Sequence, residues 1–100
     1  MKAKVYFCTE SDIIRVILRA QNISRQALDT VYESVWECEF KNILNVFGIR
    51  LKFKEEERPF GITLRQKRSH KNISPGDIIE IANDFYMVRQ VGARQLVVVD

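Results

Sequence analysis

The sequence is poor in the residues that build reactive centres and cross-links: one histidine, two cysteines, one tryptophan, two prolines and four glycines among 100 residues. A lone His70 with Cys8 and Cys38 far apart in the chain does not make a tetrahedral zinc set, and Glu55, Glu56 and Glu57 lack the spaced oxygen ligands and the glycine of a calcium loop. There is no C-x-x-C pair, so both thiols are expected to be reduced. Neither a Walker-type phosphate loop nor a G-x-G-x-x-G run occurs, so no nucleotide cofactor is implied. Long apolar runs are missing too. Ile13 to Leu18 is interrupted by Arg15, and Leu96 to Val99 is far below the roughly 20 residues that span a bilayer. The short apolar stretch near the start meets Glu10 and Asp12 at once, which is not a secretory pattern, so the expected location is the cytoplasm.

What is present suits one globular domain over residues 1–100. Hydrophobic residues make up 46% and charged residues 29%, which favours neither disorder nor membrane insertion. Net charge is +3 and spread evenly: residues 1–50 hold seven Lys or Arg against six Asp or Glu, and residues 51–100 hold nine against seven. The local exception is Arg65 to Lys71, with four positive residues and no acid.

Alternation at Val5 and Phe7 within Lys2 to Cys8 predicts a first strand. Thr9, or equally Ser11, caps a short helix carrying Ile13, Ile14, Ile17 and Leu18 to about Ala20. Gln21 and Asn22 break that pattern, and Ser24 caps a second helix. Its apolar face, Leu28, Val31, Tyr32, Val35 and Trp36, keeps three-four spacing. The spacing extends through Phe40, Ile43, Leu44 and Phe47 to Gly48, a suitable residue to follow a helix end. A break near Glu39 to Asn42 is preferred, because one helix would run about 35 Å. From Ile49 the period changes to two, with Ile49, Leu51 and Phe53 on one face and Arg50, Lys52 and Lys54 on the other, predicting a strand. Ile62 to Arg65 reads as a further short strand. Ser74-Pro75-Gly76-Asp77 matches a type II turn. After it, Asp77 to Ile81, Phe85 to Val91 and Gln95 to Val99 read as an antiparallel meander. The expected fold is therefore α+β, with an N-terminal strand and helices packed on one face of a C-terminal antiparallel sheet or partly closed barrel.

The run Ser74-Pro-Gly-Asp-Ile-Ile-Glu-Ile, followed by Phe85-Tyr-Met-Val and Gly92, resembles the ending of short YodL-like proteins from phages, plasmids and microbial genomes. The N-terminal Lys4-Val-Tyr with a helix after it is similar as well. Extra helical length from Ser24 to Phe47 departs from that pattern. The resemblance implies a mobile-element setting and no particular reaction. The same turn and strand also resemble the edge of PUA-like or ASCH-like RNA-binding barrels, although the Gly-Lys-x-x-Glu-x-Arg type motif of ASCH domains is absent.

Two candidate surfaces emerge. Arg65, Lys67, Arg68, His70 and Lys71, with Ser69 and Asn72, place several cations on one connection where they can meet successive phosphates; a solvated polar loop is the alternative. Tyr32, Trp36 and Phe40 share one face of the expected second helix; they either pack in the core or offer an aromatic patch to a partner protein or a second copy of the chain. A cysteine hydrolase would need Cys8 or Cys38 beside His70 with Asn72, without any nucleophile-elbow glycine pattern to support it. The reading favoured by the sequence is a non-enzymatic module of phage or mobile-element type. It docks on a partner protein, with no small-molecule substrate, cofactor, metal or membrane; nucleic-acid binding through Arg65 to Lys71 is the alternative.

Overall fold

The structure is a computed structural model that describes residues 2–40, 45–55, 58–61 and 73–99. Six strands run β1 (Lys2–Cys8), β2 (Asn22–Ser24), β3 (Tyr32–Glu39), β4 (Ile78–Ile81), β5 (Asp84–Val88) and β6 (Ala93–Val99). Three α-helices intervene: α1 (Ile14–Ile17), preceded by a 3-10 turn over Ser11–Ile13, α2 (Arg25–Val31) and α3 (Val46–Glu55). The fold is α+β, and the strands form one open sheet in the order β2-β6-β5-β4-β1-β3. All neighbours are antiparallel except β2 and β6, so the sheet is mixed. It does not close into a barrel.

Two elements exchange the identities expected of them. Helix α2 starts where its cap predicts, the Ser24 hydroxyl accepting from the Ala27 amide at 3.0 Å, but it stops at Val31. Tyr32 is already extended (φ −115°, ψ 150°), and Tyr32 to Glu39 is a strand rather than the continuation of a helix. The helical spacing of Tyr32, Val35 and Trp36 has a different origin. Strand β3 pairs Ser34 with Tyr6 but Trp36 with Val5, so Val35 is one residue too many for its partner. This β-bulge reverses the alternation. Tyr32 therefore shares a face with Cys8, while Trp36 shares the opposite face with Val5 and Phe7. A bulged strand buried on both sides imitates a helical stripe.

The segment expected to be a strand, Ile49 to Phe53, lies in α3. Asn45 caps it, its side-chain carbonyl accepting from the Gly48 amide at 2.8 Å, so Gly48 sits in the first turn of a helix rather than after the last. Ile49 and Phe53, four apart, are buried, whereas Leu51 is 44% exposed. The actual period is therefore that of a helix. At the other early helix, Thr9 does not cap; its hydroxyl donates to the Val31 carbonyl at 2.7 Å. Asn22, read as part of a break, pairs with Val97 in the parallel β2–β6 ladder. The expected strand Ile62 to Arg65 lies outside the described residues.

Helical elements cover both faces of the sheet, not one. On the first face Ala3, Val5, Phe7, Val35, Trp36, Ile79 and Ile81 meet Ile49 and Phe53 of α3. Trp36 is the hub, with its ring centroid 5.4 Å from Phe53 and 5.9 Å from Phe60 and its indole N–H donating to the Pro59 carbonyl at 3.3 Å. On the second face Tyr32, Ile78, Phe85, Met87 and Leu96 meet Leu28 of α2 and Ile14 and Ile17 of α1. Arg94 reaches from β6 to donate to the Leu18 and Ala20 carbonyls, which follow the last turn of α1.

The Ser74–Asp77 turn ties these layers together. Gly76 has φ +96°, and the Asp77 amide donates to the Ser74 carbonyl at 3.0 Å, as a type II turn requires. The buried Asp77 carboxylate accepts from the Cys8 amide of β1 at 2.9 Å and from the Ser74 amide at 2.7 Å. Tyr32 adds β3, its hydroxyl donating to the Gly76 carbonyl at 2.6 Å. The Ser74–Asp77 turn is thus a structural fastening between β1, β3 and β4.

Candidate interaction groove

Among the described residues, only half of the first face of the sheet is covered. Helix α3 sits over β3, β1 and β4. Moving outward, Tyr86 of β5 stands beside Gln95 of β6, and Val88 beside Ala93, so these residues share that face. Period-two geometry carries the same face along β6 to Val97 and Val99, which are 59% and 42% exposed.

Between α3 and this uncovered half lies a groove of about 930 Å³. One wall is the outer side of α3, with Phe47 and Leu51 at i and i+4 interleaved with Arg50 and Lys54 at the same spacing. The opposite wall holds Tyr86, Val91 and Ala93, and Ile81 contributes from within the sheet. Phe47 is 75% exposed and Val91 90%. The Arg50 guanidinium donates to the Arg89 carbonyl at 3.2 Å, which holds that cation against the connection between β5 and β6. Among the described lining residues there are two cations and no carboxylate, histidine or cysteine. The described lining can thus receive apolar and anionic groups.

The residues singled out from sequence lie elsewhere. Arg65, Lys67, Arg68, His70 and Lys71, and Ser69 and Asn72 with them, fall outside the described residues. Tyr32 and Trp36 are buried on opposite faces of the sheet, and Phe40 is half-buried, 6.1 Å from Trp36 and 5.1 Å from Phe60. They form no common helical stripe; of the two roles considered for Tyr32 and Trp36, core packing is the one they occupy.

Cys8 and Cys38 are free thiols at opposite ends of β1, Cys8 within it and Cys38 opposite Ala3. Five residue steps along the strand take Ala3 to Cys8, roughly 17 Å, so the two thiols cannot bridge. Burial pushes both thiols above their ordinary pKa, which disfavours the nucleophilic thiolate. Among the described residues no three His, Cys, Asp or Glu side chains gather as a metal set, and no helix is long and apolar enough to cross a membrane.

Sequence reasoning missed Phe47, Arg50, Leu51, Lys54, Tyr86 and Val91. The usable signal was the paired i, i+4 spacing of Phe47 with Leu51 and Arg50 with Lys54, which was hidden while the segment was read with period two. The chain matches no protein-family model, no curated protein and no solved structure.

Proposed function

We propose that this protein is a non-enzymatic binding module of a phage or other mobile element, and that it docks on a partner protein through the groove between α3 and the β5–β6 half of the sheet. One observation carries the reading. Of the six large hydrophobic residues most exposed among the described ones, five, namely Phe47, Leu51, Val91, Val97 and Val99, line the groove or continue its sheet face; only Val16 lies apart. Scattered exposed hydrophobics are ordinary, but a contiguous set around a concavity marks an interaction site. Cations beside that apolar surface favour a partner with complementary charge. The YodL-like pattern at Ser74–Asp77 and in the meander supports the mobile-element setting.

The test is comparative affinity capture from cells of a matching host, using the wild-type chain and a Leu51→Asp/Val97→Asp variant, with circular dichroism to confirm an intact fold. The reading requires a protein retained by the wild type and lost with the variant. Identical captures from both proteins would refute it. In parallel, fluorescence anisotropy with short DNA and RNA tests the alternative. Salt-dependent binding lost in a Lys67→Ala/Arg68→Ala/Lys71→Ala variant would move the function to nucleic acid.

A further inference from the structure

We infer that the occupant of the groove is an amphipathic α-helix bearing acidic residues along one edge. The inference rests on the docking reading above and specifies the partner's chemistry. Width argues for a helix. Packed helices lie about 8–10 Å apart, two strand spacings of about 4.8 Å, so a helix beside α3 would lie over β5 and β6, whose Tyr86 and Ala93 line the groove. Helix α3 already occupies the neighbouring strands, and a second helix beside it would complete the layer. Length agrees. The seven residues of β6 extend roughly 23 Å, the rise of about 15 helical residues.

Charge selects the edge. Arg50 and Lys54, one turn apart on the groove side of α3, face the space the incoming helix would fill, and no carboxylate among the described lining residues neutralises them. A helix with Glu or Asp at i and i+4 matches that spacing. Its apolar residues would then meet Phe47, Leu51 and Tyr86. A second copy docking symmetrically through the same groove would bring two Arg50–Lys54 pairs together without an acid. An anionic membrane is a poorer match to a concavity than to a flat or convex face.

The test uses the full chain and a fluorescein-labelled peptide of about 15 residues, with leucines recurring at i, i+3, i+4 and i+7 and glutamates along one flank. Anisotropy should show saturable micromolar binding that weakens at least tenfold in an Arg50→Glu/Lys54→Glu variant. A peptide with lysine in place of glutamate should show the reverse preference, binding that variant and not the wild type. Equal affinity for both peptides would overturn the acidic edge. Equal affinity for a proline-interrupted version would overturn the helix. No saturable binding by the glutamate peptide would also overturn the proposal, as would co-sedimentation with anionic vesicles showing the same dependence on Arg50 and Lys54. If the peptide fails while capture still depends on Leu51 and Val97, only the helical occupant is lost. If both fail, the docking reading goes with it.

Discussion

Replacing Asp77 with alanine should remove a large part of this protein's stability. The carboxylate is 1% exposed and accepts from the Cys8 and Ser74 amides at 2.9 and 2.7 Å. Hydrogen bonds to a charged acceptor contribute about 1.5–3 kcal/mol each, and losing the acceptor strands buried donors at a comparable cost. Two such bonds give about 3–6 kcal/mol. The Ser74 end is only half-buried, so water offsets part of the loss and about 4 kcal/mol is expected. Domains of this size have roughly 5–15 kcal/mol in total, and Tm should fall by roughly 15–30 °C. Asp77→Asn retains one acceptor but turns its NH2 group toward the second amide, so it should cost about half as much. Urea unfolding followed by the fluorescence of Trp36, the sole and fully buried tryptophan, reads both variants directly. A loss below about 1 kcal/mol for alanine, or an asparagine variant as damaged as the alanine one, would refute the acceptor argument.

Three further outcomes follow from the same geometry. The two-residue hairpin between β4 and β5 holds Ala82 at φ +52° and Asn83 at φ +72°, so exposed Ala82→Asn should raise stability by about 0.5–1 kcal/mol in the same urea titration, since asparagine tolerates that conformation better. Phe53→Ala should cost about 3–4 kcal/mol and Leu51→Ser no more than about 0.5 kcal/mol; similar costs would mean that both face the core, as they would on a strand. Burial pushes Cys8, Tyr6 and Tyr32 above their ordinary pKa values, with the Glu80 carboxylate raising Tyr6 further. For an acid whose folded pKa is raised, the unfolded chain loses its proton first. Stability from these groups is therefore complete below about pH 8.5 for the thiol and about pH 10 for the phenols, and declines as pH rises from there. Unfolding titrations between pH 7 and pH 11 should show that decline, and a flat profile would contradict it.

The sequence made the sheet's C-terminal half legible because its signals are local. Pro75 and Gly76 specify a type II turn, Ala82-Asn83-Asp84 reads as a hairpin connection of which Asp84 proves to open β5, and β-branched residues dominate β4 and the end of β6. The same holds for β1 and for the Ser24 cap. What failed depended on distant partners. The bulge in β3 exists only opposite β1, where Val35 finds no counterpart, and without that partner three-four spacing is the natural reading. The parallel pairing of β2 with β6 joins residues some 75 positions apart, which no local pattern encodes. Gly48 was ambiguous because glycine is common after a helix and merely tolerated in its first turn, where only the cap from Asn45 settles the matter.

The exchange between strand and helix also determined which surface could be seen. As a strand, residues 49–54 would place Arg50, Lys52 and Lys54 together on a uniform solvent face, with Leu51 hidden beside Ile49 and Phe53. As a helix they divide. Lys52 turns toward the aromatic cluster, its ammonium 5.7 Å from the centre of the Phe60 ring. Arg50 and Lys54 turn the other way into the groove, and Leu51 moves out with them to meet solvent beside Phe47. Conversely, Trp36 would have been an available anchor on a helix, but the bulged strand puts it at the centre of a core where no partner reaches it. The strand at Tyr32–Glu39 thus buries Tyr32 and Trp36, while the helix at Val46–Glu55 assembles an apolar groove with a basic wall, and a charge reversal at Arg50 and Lys54 should disturb binding without disturbing Trp36.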